Sequence, residues 1–197
     1  MSEANRQAVL VAARRQFERL GYHGATLDSI AAEAGFSKGV VYSRFASKDD
    51  LFLAVLEANI EARHEDTARA FGGLGGPEDL ARLVDAAFRQ STATLAWQAA
   101  LLEFRVHAWR HPEVNGRYIA LHERTVESVG GFLSGLYEQA GAEPPLPPRQ
   151  LALGFLAGGS GIVTELLADP ELEPIDLAAA ISTFGQPLTR SPQEAPS

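Results

Sequence analysis

Cysteine is missing from all 197 residues, which rules out disulfides and thiolate metal sites and leaves a reducing compartment open to the protein. Lysine is almost missing too, with Lys38 and Lys48 the only two. No apolar run reads as approaching the roughly 20 residues of a membrane span. The opening MSEANRQAVL lacks the charged-then-apolar layout of a secretory leader. These absences set the expectation of a cytoplasmic protein without a membrane partner. Catalytic signatures are lacking as well: there is no Gly-x-Ser-x-Gly elbow, no paired-carboxylate motif and no dinucleotide fingerprint. No enzyme, catalytic residue or cofactor is expected. Strand-like alternation and internal repeats are also absent, so the expected fold class is all-α.

What is present is unevenly charged. The formal net charge is -8, which at first sight suits a polyanionic partner badly. Residues 1–60, however, hold seven basic and seven acidic side chains and are neutral. The remainder carries the whole negative balance. Nucleic-acid binding depends on local phosphate neutralisation and counterion release, so a neutral domain on an acidic body remains compatible with it. A chain of this length can bury a core as one domain, or as a small domain fused to a larger one.

Both lysines fall within residues 26–51, TLDSIAAEAGFSKGVVYSRFASKDDL, which has the spacing of a helix-turn-helix. Leu27, Ile30, Ala31 and Ala34 form the apolar stripe of a short amphipathic helix. Thr26 stands before it as N-cap, and Asp28 suits the positive end of its dipole. Gly35 can take a positive φ and end it, and Ser37 can cap a second short helix over 38–44. Two helices joined by a short Gly-containing turn place a recognition helix in the DNA major groove. Thr26 and Lys48 stand at helix N-termini, where backbone amides favour a phosphate. Lys38, Gly39, Val40 and Ser43 lie on the face that meets base edges, with Lys38 able to donate to guanine and Val40 to touch a thymine methyl. A merely solvated Lys38 is the competing reading. Val41, Phe45 and Phe36 are expected to pack inward.

The residues Ile30-Ala31, Ala34-Gly35-Phe36-Ser37, Gly39, Val41-Tyr42, Phe45, Ser47-Lys48 and Leu51, together with Phe17 and Gly21 in a preceding helix, carry a closer likeness. Over residues 6–60, under a third of the chain and without gaps, the sequence resembles the DNA-binding domain of the TetR family of transcriptional regulators. The resemblance implies that Tyr42 contacts phosphate, against a half-buried packing role. Arg44 stands where the family more often has His or Tyr, and a phosphate contact is expected there.

The rest of the chain reads as helix. A first helix over about 6–20 buries Val9, Ala13, Phe17 and Leu20. Ser47-Lys48-Asp49-Asp50 is a capping-box pattern opening a long helix to about residue 70. GGLGGP at 72–77 breaks the chain before a helix carrying Leu80, Val84, Phe88, Leu95 and Leu102, interrupted at His111-Pro112. Further helices follow over about 112–140, 149–168 and 174–188. About nine helices result, the number the resemblance implies. The domains expected are residues 1–60 for DNA binding, 61–190 for regulation and dimerisation, and a disordered tail at 191–197.

Two signals lie in the body. Trp97, Leu101, Phe104 and Ala108 form one stripe and Tyr118, His122 and Thr125 another, with Phe155 and Glu165 as lids. The resemblance implies that such helices enclose a ligand pocket, and an ordinary bundle core is the alternative. Such a pocket would take an apolar or aromatic small-molecule effector held by a few polar anchors. The second signal is a glycine run, Gly154, Gly158, Gly159 and Gly161, and a final apolar seam of Leu177, Ile181, Phe184 and Leu188. Each helical glycine costs roughly 1 kcal/mol relative to alanine, which suggests close approach by another helix. The resemblance implies that these two helices pair with their symmetry mates in a four-helix bundle. Glu103, His107 and His111 share a helical face that could hold zinc, but the HExxH pattern is absent and no metal is expected. The expected function is that of a homodimeric repressor released from a palindromic double-stranded DNA operator by a small molecule. The alternatives are a ligand-independent regulator or activator, and an all-α ligand-binding protein with a non-functional helix-turn-helix.

Overall fold

The computed structural model describes residues 2–71, 95–139, 141 and 143–172, and these are all-helical. The described helices are α1 (Glu3–Gly24), α2 (Leu27–Glu33), α3 (Lys38–Tyr42), α4 (Lys48–Phe71), α5 (Leu95–Trp109), α6 (Pro112–Gln139) and α7 (Pro148–Ala168). The glycine-rich break at 72–77, the Leu80, Val84 and Phe88 helix, the seam of Leu177, Ile181, Phe184 and Leu188, and the tail at 191–197 lie outside the described residues. The domain boundary expected at residue 60 falls inside α4, which continues to Phe71.

Helix α1 buries Val9, Ala13 and Phe17 as their spacing dictates, but Leu20 is 45% exposed. The reason is Gly21, whose φ of 71° breaks the helical path. The chain turns there and Tyr22, only 2% exposed, takes the core position expected of Leu20. The positive φ favours glycine at this position, and a Cβ there would also lie 2.5 Å from Glu103 Oε1, so that carboxylate would have to move.

The core centres on Phe52, which no periodic reading singled out. Its ring stacks on Phe104 at 4.3 Å and on Trp97 at 5.0 Å, and meets Phe17 edge-on at 4.8 Å. Offset and edge-to-face pairs of this kind add about 0.5–1.5 kcal/mol each beyond area burial. The stripe Trp97, Leu101, Phe104 and Ala108 is thereby packed core: all four are buried against α1 and α4. Helix α5 is the keel on which the N-terminal domain sits, and among the described residues these side chains pack into the core rather than line an opening.

Helices α5, α6 and α7 pack on one another, and α6 also reaches α4. Among the described residues α7 alone is long and apolar enough to cross a membrane by length and composition, with a mean hydropathy of 1.6 over its most apolar window. That overturns the expectation of no such run. Only 22% of that window is fully buried, and Leu153, Ala157 and Leu167 on this helix are exposed.

Candidate nucleic-acid interface

Helix α2 starts on a closed capping box. Ser29 N–H donates to Thr26 Oγ1 at 3.1 Å, and Thr26 N–H donates to Ser29 Oγ at 3.2 Å. It ends in a Schellman turn at Gly35 (φ 74°), with Phe36 N–H donating to Ala31 O and Gly35 N–H to Ala32 O. These local signals set the angle at which α3 departs. Val41 and Phe45 are buried and pin α3 to the domain. Ser37 has extended backbone at the start of α3, yet its hydroxyl makes no capping bond. The exposed hydroxyl is left free instead.

The outer face of α3 then carries Ser37, Lys38, Gly39, Tyr42, Ser43 and Arg44 in solvent, with Val40 half-buried. Tyr42 is 49% exposed. No described residue comes within 4 Å of where a Gly39 Cβ would stand, so packing among the described residues does not demand glycine there. Lys38 Nζ is held 2.5 Å from Asp28 Oδ2 across the turn, and that carboxylate raises its pKa. Arg44 has no carboxylate partner among the described residues. Ser43 Oγ donates to Val40 O at 2.9 Å.

Lys48 departs from its expected place. Its ammonium donates to three carbonyls at the end of α1: Tyr22 O at 2.7 Å, Ala25 O at 3.1 Å and His23 O at 3.2 Å. It also stands 4.5 Å over the Tyr22 ring. Burial lowers its pKa, while Asp49 and Glu103 pull the other way. A cation with all three protons engaged inside the protein is a C-cap for α1 and not a free phosphate anchor. The start of α4 is likewise filled by the protein's own anion. Asp50 Oδ2 accepts from Ser47 N–H at 3.0 Å, and Asp50 N–H donates to Ser47 Oγ at 3.1 Å.

The same corner ties the domain to α5. Tyr22 Oη donates to Asp49, and burial, then that bond and charge, raises the phenol's pKa. His107 Nε2 lies 3.2 Å from Asp49 Oδ1, within ion-pair reach but without hydrogen-bond alignment. Glu103 Oε2 accepts from His23 N–H at 3.1 Å. Glu103 and His107, considered above as metal ligands with His111, are thus engaged with α1 and α4.

In the body the structure brings Tyr118 and His122 together, stacked at 5.9 Å, and adds Arg105, which sequence reading passed over. Arg105 Nε donates to Tyr118 Oη at 2.6 Å and Nη1 to Ser160 Oγ at 3.3 Å. Thr125 bonds back to Leu121 O within α6, and Phe155 is half-buried on α7. Only its immediate neighbours hinted at Arg105, which stands between apolar Phe104 and Val106. Gly154 and Gly161 are exposed and Gly158 half-buried, and no described residue comes within 4 Å of where each Cβ would stand.

Comparison with known proteins bears on both halves. The profile described as "Bacterial regulatory proteins, tetR family" matches residues 9–55, and that described as "BetI-type transcriptional repressor, C-terminal" matches residues 77–186. An uncharacterised HTH-type transcriptional regulator, YfiR of Bacillus subtilis, is 27% identical over 172 residues, covering 82% of this chain and 80% of the relative. Among solved structures, the transcriptional regulator FadR of Bacillus subtilis in complex with stearoyl-CoA superposes with a TM-score of 0.69 at 16% identity, covering 90% of this chain and 96% of that one. A transcriptional regulator of Saccharomonospora viridis in complex with choline gives 0.73 at 20% identity, with 93% and 96% covered. At such identities the likeness is one of fold.

Proposed function

Because the chain belongs to the tetR family of bacterial regulatory proteins, we propose that it works as a homodimeric repressor, leaving a palindromic operator when a small molecule fills its helical body. Membership makes it a DNA-binding transcriptional regulator. The observation that carries the finer reading is the outer face of α3, solvent-exposed from Ser37 to Arg44 and pinned from behind by Val41 and Phe45. In this reading Tyr42, Arg44 and the Thr26 end of α2 hold phosphates, which fixes register. Lys38, Gly39, Val40 and Ser43 meet base edges, and Lys38 exchanges Asp28 for its DNA partner. Such a regulator works where the chromosome is, in the cytoplasm.

The second copy docks on α7, through the open glycines Gly154, Gly158 and Gly161 and the seam of Leu177, Ile181 and Phe184. Small residues let two helix backbones approach closely, and the unburied apolar face of α7 supports this choice. Coupling runs through α5. A molecule that shifts α5 pulls Glu103 and His107, and with them the end of α1 and the start of α4, which Lys48 binds to each other. The effector must prefer one arrangement over the other, or nothing moves. It is a largely apolar or aromatic molecule in contact with Tyr118, His122 and Phe155.

Footprinting on genomic fragments tests the DNA half, with two protected half-sites about one helical turn apart, roughly 34–36 Å, as the expected pattern. A single unpaired half-site would overturn the symmetric dimer. Gly161→Leu tests the interface: a leucine fits the lone chain and favours helix there, so the variant should fold and sediment as a monomer. A folded dimeric variant would move the interface off this face.

A further inference from the structure

We infer that the effector of this regulator carries a carboxylate, which Arg105 receives between α5, α6 and α7. The inference rests on the ligand-responsive reading above and names the chemistry of the molecule that reading leaves open.

Arg105 is half-buried, and a guanidinium withdrawn from water is normally matched by an anion. Its contacts here are neutral hydroxyls, Tyr118 Oη on α6 and Ser160 Oγ on α7. Five N–H groups radiate from the fork, and these two bonds leave three of them without a described acceptor. Among the described residues no carboxylate pairs with it. Glu123, on the same helix as Tyr118, is already held by Arg149, whose Nη2 donates at 2.9 Å. The neighbouring His122 adds no negative charge: burial, then Arg105, lowers its pKa and favours the neutral ring. Among the described residues, Arg105 therefore keeps its positive charge without a carboxylate partner, in a region of the chain that is strongly acidic overall.

A planar fork with free N–H groups fits a carboxylate in two parallel bonds. Half-buried Leu121 on α6 and Phe155 on α7 are apolar and suit the remainder of an organic acid. A quaternary ammonium such as choline fits badly. It would be repelled by the guanidinium, and the Tyr118 ring face that a cation would seek already has Arg105 Cζ 5.9 Å from its centroid.

Calorimetry on the full chain decides this with three probes of one chain length: octanoate, octanol and octyltrimethylammonium. The expected order is octanoate tightest, then octanol, then the ammonium. Arg105→Gln should weaken octanoate by about tenfold or more, the size of a lost charge-assisted bond, and leave octanol unchanged. Arg105→Lys, which keeps the charge, should recover part of the loss and serves if the glutamine variant folds poorly. Equal binding of acid and alcohol, preference for the ammonium, or octanoate binding indifferent to Arg105 would each overturn the carboxylate assignment. So would silence toward all three probes. DNA retention by the same preparation separates these failures from failure of the regulator reading: a protein that still footprints a palindrome remains a repressor with another effector.

Discussion

The N-terminal domain and the helical body end their helices differently. Around α2, α3 and the start of α4 the chain closes its own helix ends: Thr26 with Ser29, Gly35 with its two carbonyls, Ser47 with Asp50, and Lys48 on the end of α1. In α5–α7, part of the apolar surface of α7 is exposed, and the fork of Arg105 meets two neutral hydroxyls but no carboxylate among the described residues. The first pattern builds a rigid presenter for a fixed shape. The second leaves groups to be completed by something outside the chain. A regulator that reads one DNA site but answers a separate signal needs both.

The comparison breaks most sharply at Phe52, where the two regions share a core. Phe52→Ala removes the ring on which Phe17, Trp97 and Phe104 converge. A loss of about 3–5 kcal/mol is expected, seen as a large fall in the midpoint of chemical unfolding. A loss below about 1 kcal/mol would mean that the domain and α5 do not share this core.

Lys48→Met sharpens it next. Removing the ammonium leaves three carbonyls at the end of α1 without their donor, so a stability loss of about 1–3 kcal/mol is expected. The salt dependence of DNA binding should stay as it was. A reduced salt slope with unchanged stability would restore Lys48 as a phosphate anchor.

Arg44→Ala should do the reverse. Stability should shift by no more than about 0.5 kcal/mol, while the slope of log affinity against log salt should fall by about one unit. Operator and scrambled DNA should lose affinity alike. A change confined to one base position would make Arg44 a reader of sequence.

The smallest effect belongs to His122. Its folded pKa lies below the ordinary 6.5, chiefly through burial, so the unfolded chain binds the proton more readily. Stability from this group is fully present above about pH 6.5 and is lost as pH falls toward the lower folded value. His122→Gln should flatten that acid slope in thermal melts taken below about pH 6.5. An unaltered slope would mean that the ring is solvated in the folded body.

Local physics made much of the N-terminal half legible in the sequence. A capping box, a glycine that must take positive φ and an apolar residue every third or fourth position act within a few residues of chain. They fixed α2, α3, the start of α4 and the inward turn of Val41 and Phe45. What a side chain does across 20 or 80 residues was not written in spacing. The bond from Lys48 to the end of α1, the contact of Glu103 with His23 and the approach of α5 to Gly21 depend on how helices cross. A stripe of Trp97, Phe104 and Ala108 has the same period whether it faces a pocket or a neighbouring helix, and only its packing, with Phe52 against Trp97 and Phe104, made it core. Arg105 became visible for the same reason: its charge is ordinary in sequence, and only the three-helix surroundings make it a charge in want of an anion.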